Sequence, residues 1–283
     1  MAEQEESRYF NDVEHVGEMA RLTRQARVVG SITGLFPQSF DLSAIRDVLD
    51  VASGPGVWAQ EIAQAYPHMQ VTGIDISHTM TDFATSVSTG QSNIRFQIMD
   101  ATKPLDFPDQ SFDLVNARFI FGFTPTKVWP LALQEWKRIL RPGGALILTE
   151  GEMPMTNKTA VEQMSSLFIK AMQATGQSFS PTGRNNGITS ILSYLLANAG
   201  FESLQTRGHV FDFTTASEEV RKVYFLDNYR TGFHLMLPFL VRTGVTTEEE
   251  VDELYNQMVS EMEDADFCAT GFILTAWGYK PQV

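Results

Sequence analysis

The 283-residue chain is 43% hydrophobic and 19% charged, the balance of a folded globular protein rather than a disordered one. Its length suits one large domain or a core with an elaborated cap. A formal net charge of -13 argues against DNA, RNA and anionic membrane as main partners, because binding them needs a basic surface to replace condensed counterions. The lone cysteine, Cys268, allows no intrachain disulfide and fits a reducing compartment. The start, MAEQEESRYF, is acidic and polar, unlike a signal peptide. The longest strongly apolar stretch, Phe233 to Val241, contains His234 and Pro238 and is too short to span a bilayer. A soluble, cytoplasmic protein without membrane or nucleic-acid partners is expected.

Taken in order, residues 1 to about 44 read as a helical cap. Val16, Met19, Leu22, Ala26 and Val29 recur at steps of three or four, marking one apolar face. Asn11 is the expected cap residue, with Glu14 three positions on. Arg21, Arg24 and Arg27 form a second stripe, expected to be a solvated face. From 45 to 150, strand and helix signals alternate. Strands are expected at Ile45–Val51, Val71–Ile74, Ile94–Met99, Phe112–Val115 and Ala145–Thr149, and helices at Trp58–Tyr66, Met80–Val87 and Leu131–Leu140. Alternation of this kind implies right-handed crossovers and a mainly parallel sheet. In the remainder, 151–283, helices are expected at Ala160–Ala174 and Ile188–Ala199, and strands at Phe201–Phe213 and Phe267–Lys280. About fifty residues between those two strands read as helical. Segments near 151–187 and 217–266 are therefore expected to form a helical lid over the core.

Chemistry concentrates at the expected strand ends. Val48 to Gly56 runs a buried strand into the small-residue turn Ala52-Ser53-Gly54-Pro55-Gly56, which lets the backbone approach a ligand. Asp75 ends the next strand, nineteen residues after Gly56, where ligands of open parallel sheets bind. A carboxylate there can accept hydrogen bonds from a ribose diol, while Ser77 is available to cap the following helix. Asp100 follows the third strand and Asn116 the fourth, and Leu140-Arg141-Pro142-Gly143-Gly144 leads from a helix into the fifth. All five features are expected on one sheet edge.

The series DVASGPG, GIDIS, IMDAT, FDLVNAR and LRPGG resembles the class I S-adenosylmethionine (SAM)-dependent methyltransferases, and more closely the bacterial ones acting on small molecules and natural products. The resemblance covers about residues 45–150, and the segment from Tyr9 through RLTRQ is also similar to helical caps in that group. It implies an α/β fold with a Rossmann-like, seven-stranded, mainly parallel sheet, helices on both faces and an antiparallel last strand. It further implies that Ala52, Ser53 and Gly54 approach the methionine part of SAM and that Asp50 also belongs to the cofactor site. Asp75 would hold the ribose hydroxyls, Ile76 would pack on the adenine, Asp100 would accept from its amine with Ala101 beside it, and Asn116 to Arg118 would line the methionine end. Ala52 stands where the family usually has its first glycine, and a φ below zero is expected there.

Two other readings compete. A nicotinamide-dependent oxidoreductase could use Asp75, but a dinucleotide fingerprint centred on Gly54 would need glycine where Val57 stands. A non-catalytic partner protein of the same fold is the other, since fold alone does not prove activity. Methyl transfer from a sulfonium is an in-line displacement helped mainly by alignment and water exclusion. No invariant catalytic group is therefore required. Glu152 and His234 are the candidate bases, and Tyr9, Phe119, Glu150 and Tyr229 the candidate contacts of a small-molecule acceptor. His209 is expected to be structural. The sequence leaves the oligomeric state open, and no metal site is expected.

Overall fold

The computed structural model describes residues 14–38, 40–218 and 221–282. After a long first helix, α1 (Val16–Thr33), strands and helices alternate: β1 (Asp47–Val51), α2 (Val57–Ala65), β2 (Gln70–Asp75), α3 (His78–Val87), β3 (Ile94–Ile98), β4 (Phe112–Arg118), α4 (Trp129–Ile139) and β5 (Leu140–Gly151). The second half contributes β6 (Met155–Thr156), α5 (Thr159–Ala174), α6 (Ile188–Asn198) and β7 (Glu202–Asp212). A π-helical turn (Arg221–Asp227), α7 (Asn228–Arg242), α8 (Glu248–Glu263) and β8 (Ala269–Tyr279) complete it.

The long strands run in the order β3-β2-β1-β4-β5-β8, with β7 paired on β8. β1 to β5 are mutually parallel, and β8 is antiparallel to both β5 and β7. This is the seven-stranded sheet expected, with one addition. The two-residue β6 continues past β5 along β8, pairing Met155 with Thr270.

Burial on both faces explains why the strands read as continuous apolar runs. Val48, Leu114, Ala145 and Ile147 pack with Trp58, Ile62 and Phe40 on one side of the sheet. Their neighbours Leu49, Val115, Leu146 and Leu148 pack with Trp129, Trp136 and Leu192 on the other. That alternation is the two-residue period of a strand.

Three expectations are corrected here. Helix α1 begins at Val16, and its N-cap is His15, whose Nδ1 accepts from the Gly17 N–H at 3.0 Å. Asn11 lies outside the described residues, and Glu14 instead accepts from the Thr79 N–H at 3.1 Å. Second, the Arg21 stripe is not a solvated face throughout. Arg21 is buried, bonded to the fully buried Glu18. Third, Arg141 to Gly144 belong to β5 itself, where the β4 register slips between Phe112 and Leu114. They lie at the amino end of the sheet, opposite the edge at which Asp75 and Arg118 stand. There Arg141 donates to Asp113 and forms an ion pair with Asp47, each at 2.8 Å. The Arg-Pro-Gly-Gly segment therefore fastens strand starts together and does not approach the site.

Among the described residues, no helix is long and apolar enough to cross a membrane.

Candidate active site

A cavity of about 470 Å³ opens at the carboxyl ends of β1 to β4, roofed by α1. That size is within the ~300–1,000 Å³ common for cofactor and small-molecule sites, and the position is where open α/β sheets bind ligands. Asp50, Ala52, Ser53, Gly54, Asp75, Ile76, Asp100, Ala101, Arg118 and Phe119, all singled out in the sequence, line it. Asn116 does not. It is buried behind the wall and donates from Nδ2 to Asp50 Oδ1 at 2.8 Å.

The turn after β1 is shaped by left-handed backbone. Gly54 has φ +54, and a side chain added there would meet nothing within 4 Å, because the position faces open space. Gly56, at φ +76, is closed instead: an added Cβ would come within 2.6 Å of Phe96 and 2.8 Å of Ala84. Ala52 departs from expectation, with φ +51. For a residue with a Cβ this costs roughly 1–2 kcal/mol, and the family's usual glycine would avoid that strain.

Asp75 is the hinge of the arrangement. One carboxylate oxygen accepts from the Gly54 N–H at 2.8 Å and the other from the Ser77 N–H at 2.9 Å. Asp75 is thus already partly engaged. Each oxygen has two lone pairs, so capacity remains for a ligand. Ser77 does cap α3, accepting from the Met80 N–H at 3.1 Å. Burial pushes the Asp75 carboxyl up, against the pull of those backbone donors. On β3's side, Asp100 accepts from the Thr102 N–H and hydroxyl at 2.9 and 2.7 Å. Ile76 is 42% exposed, a large apolar side chain bared at the rim.

Opposite charges meet at the other end. Burial pushes Asp50 up to about 6, opposed by the Arg118 guanidinium and the Asn116 bond. Arg118 in turn lies over the Trp58 ring, 5.7 Å from its centroid, and burial lowers its pKa against the attraction of Asp50 and Glu61. The sequence did not single out Leu22, Gln25, Ala26 and Val29 of α1 as lining residues, although they also face this cavity. The signal of Leu22, Ala26 and Val29 was the three-and-four spacing, which looks the same for plain packing; the polar Gln25 lay outside that series.

A second, smaller cavity of about 160 Å³ adjoins the first, sharing Gln25 and Phe119 in its wall. Tyr229 and Glu152 line it. Glu152 is already engaged, accepting from the Asn186 N–H at 2.7 Å, the Thr189 N–H at 3.3 Å and the Thr189 hydroxyl at 2.7 Å. His234 lines neither cavity. It is exposed on α7 with its ring 5.5 Å from that of Tyr255. Its place in an apolar stretch suggested a contact, but the helix turns it outward. Tyr9 lies outside the described residues. His209 sits on β7, and burial lowers its pKa.

Glu150 is fully buried at the end of β5 and lines neither cavity. Its Oε1 accepts from the Ile120 and Phe121 N–H groups at 2.8 and 3.2 Å, and Oε2 has no partner among the described residues. Burial pushes it up to about 8. It braces the turn that holds Phe119 at φ +54, the residue separating the two cavities.

A parallel sheet closed by an antiparallel strand, with a cavity at a glycine turn and two strand-end aspartates, is the arrangement that the sequence resemblance implied. The sequence matches the family described as "Methyltransferase domain" over residues 48–144. Over 110 residues it is 39% identical to a demethylmenaquinone methyltransferase of Deinococcus radiodurans, covering 38% of this chain and 44% of that protein. A demethylmenaquinone methyltransferase of Staphylococcus aureus is 33% identical over 123 residues, covering 43% and 49%. The matches thus span less than half the length of these curated relatives. Among solved structures, a putative methyltransferase of Bacillus halodurans C-125 superposes with TM-score 0.52 at 18% identity, covering 91% of this chain and 98% of that one. Haemonchus contortus phosphoethanolamine N-methyltransferase 2, solved with phosphomonomethylethanolamine and S-adenosylhomocysteine, gives TM-score 0.51 at 17% identity, covering 92% and 52%. These two likenesses speak to fold.

Proposed function

We propose that this chain binds SAM in the larger cavity and transfers its methyl group to a small organic acceptor. The observation that carries the reading is Asp75, at the carboxyl end of β2, tied to the Gly54 N–H in a turn whose glycine opens into the cavity. The residues suit the ligand. Asp75 has lone pairs left for a ribose diol, and Ile76 and Met99 offer apolar surface near it. Asp50 and Arg118 supply opposite charges for the ammonium and carboxylate of a methionine. When bound, SAM supplies an activated methyl carbon and a thioether leaving group. Held by Asp50, Asp75 and Arg118, it would serve as methyl donor to the acceptor's lone pair, with the C–S electron pair leaving on sulfur and the acceptor's proton, where it carries one, leaving to solvent.

The chain's own task is then alignment and exclusion of water. Helix α1 roofs the cavity, and Phe119 stands between the two compartments. Neither candidate base supports a proton-transfer role: Glu152 is engaged at the start of α6 and His234 lines neither cavity. The nicotinamide reading loses support because the methyltransferase match takes in Gly54, Asp75, Asp100 and Arg118 together. Incubating the full chain with methyl-labelled SAM and a panel of small hydroxylated and amine acceptors tests the reading. Label transferred to an acceptor is expected. SAM bound without transfer to any acceptor favours the non-catalytic alternative.

A further inference from the structure

The two cavities meet at two side chains. Among the described residues, Gln25 of α1 and Phe119, the residue after β4, are the ones that line both. The boundary between the compartments is therefore built from a part of the roof and a part of the strand-end loop.

Both walls are held from behind. Phe119 has left-handed backbone, φ +54, an outlying conformation for a bulky residue that persists only where its surroundings enforce it. Its N–H donates to the Thr149 carbonyl at 2.9 Å. The next two N–H groups, of Ile120 and Phe121, converge on Glu150 Oε1 at 2.8 and 3.2 Å. Glu150 is fully buried and lines neither cavity, so its link to the compartments runs through this turn. At Gly151 an added Cβ would come within 3.1 Å of Phe119 Cε1, so the ring fills space that a side chain there would contest. Three consecutive residues of β5, Thr149 to Gly151, thus set where the ring stands. Across the boundary, the Gln25 side-chain carbonyl accepts from Arg21 Nη1, and Arg21 is tied to the fully buried Glu18 and to Asn228. Neither wall relaxes without breaking hydrogen bonds.

We propose that Phe119 is a specificity-determining residue of the transfer step, a fixed partition that lets a methyl-sized group cross between the compartments and bars a larger one, and that Glu150 is its positioning residue. The proposal rests on the methyltransferase reading above and concerns the passage between its two compartments. Arg118, assigned there to the methionine end, lines the larger cavity and immediately precedes Phe119, which sets the partition beside the reacting sulfur. A bulky group on that sulfur would have to displace the ring or the turn beneath it, and forcing extra volume into a packed site is costly.

The probes are SAM and its analogue with benzyl in place of the transferable methyl on sulfur. Each is titrated calorimetrically into the full chain. Wild type is expected to bind the benzyl analogue about tenfold or more weakly than SAM. Phe119→Ala, with the ring removed, is expected to bring the two affinities within about threefold. Glu150→Asp, which withdraws the carboxylate by one methylene from the Ile120 and Phe121 N–H groups, is expected to shrink the ratio in the same direction. Glu150→Gln, which keeps an oxygen in reach of them, is expected to hold the wild-type ratio. A merely structural Glu150 would lower thermal stability on shortening and leave the ratio alone, so an unchanged ratio in Glu150→Asp overturns its part. Equal wild-type binding of the two probes overturns the whole proposal without recourse to a variant, as does a wild-type ratio in folded Phe119→Ala. If wild type binds neither probe, the cofactor reading fails and takes this proposal with it; SAM bound without discrimination strikes the proposal alone.

Discussion

Glu150 shows what a single buried carboxyl can impose. Below pH near 4.5 it is protonated in folded and unfolded chains alike, and its burial costs little. Between its ordinary value of 4.5 and the folded value of about 8, the unfolded chain ionises it while the folded chain holds the proton. Stability therefore falls as pH rises through that window, by about 1.4 kcal/mol per pH unit from this group, and levels off above pH 8. Glu150→Gln keeps an oxygen to accept from Ile120 and Phe121 but cannot ionise. Denaturant titrations of both proteins from pH 4.5 to 8.5 are expected to show the variant gaining on the wild type as pH rises. A constant difference would mean that Glu150 is ionised in the fold. Ala52 and Phe119, both at positive φ without being glycine, border the larger cavity, where strained backbone tends to collect. Nothing in a linear string marks Phe119 for that conformation. Ala52 could have been read correctly, since the glycine it replaces is itself the sign of a left-handed position.

Helix α1 is tied to the start of α7 through Arg21, whose buried ion pair with Glu18 lies within α1 itself. Arg21 bonds Glu18 within the helix and reaches Asn228 at the start of α7 at 3.2 Å. Removing one partner of a buried pair strands the other, at about 3–5 kcal/mol. Arg21→Ala is thus expected to lower stability by roughly that amount and to weaken S-adenosylhomocysteine binding severalfold by loosening the roof. A calorimetric scan and a binding titration check both, and unchanged values would detach α1 from the site. The periodicity of Val16, Met19, Leu22, Ala26 and Val29 revealed this helix, but not that Arg21 turns inward. The strands of the core were legible because both faces are apolar. The Arg-Pro-Gly-Gly segment was assigned to the wrong sheet edge, since spacing alone does not say at which end of a strand a motif sits. Asp47, Asp113 and Arg141 show its actual work, an ion-pair cluster joining the starts of three strands.

At the scale of the molecule, the two halves of the chain do different things. The segment that matches the methyltransferase domain, residues 48–144, builds the edge that opens into the larger cavity, and residues lining it were readable because the parallel topology sends successive strand ends to one place. The smaller cavity draws instead on α1, α5, α7, β7 and β8, elements far apart in sequence whose meeting no local pattern reveals. His234, conspicuous in the sequence, faces solvent. Whether Asp75 anchors SAM in the larger cavity is tested most directly by isothermal titration of S-adenosylhomocysteine into wild type and Asp75→Ala. Wild type is expected to bind at micromolar concentration. The variant is expected to lose about a hundredfold in affinity and, having freed the Gly54 and Ser77 N–H groups, about 1–3 kcal/mol of stability. Equal affinity in the two proteins, or no binding by the wild type, would contradict it.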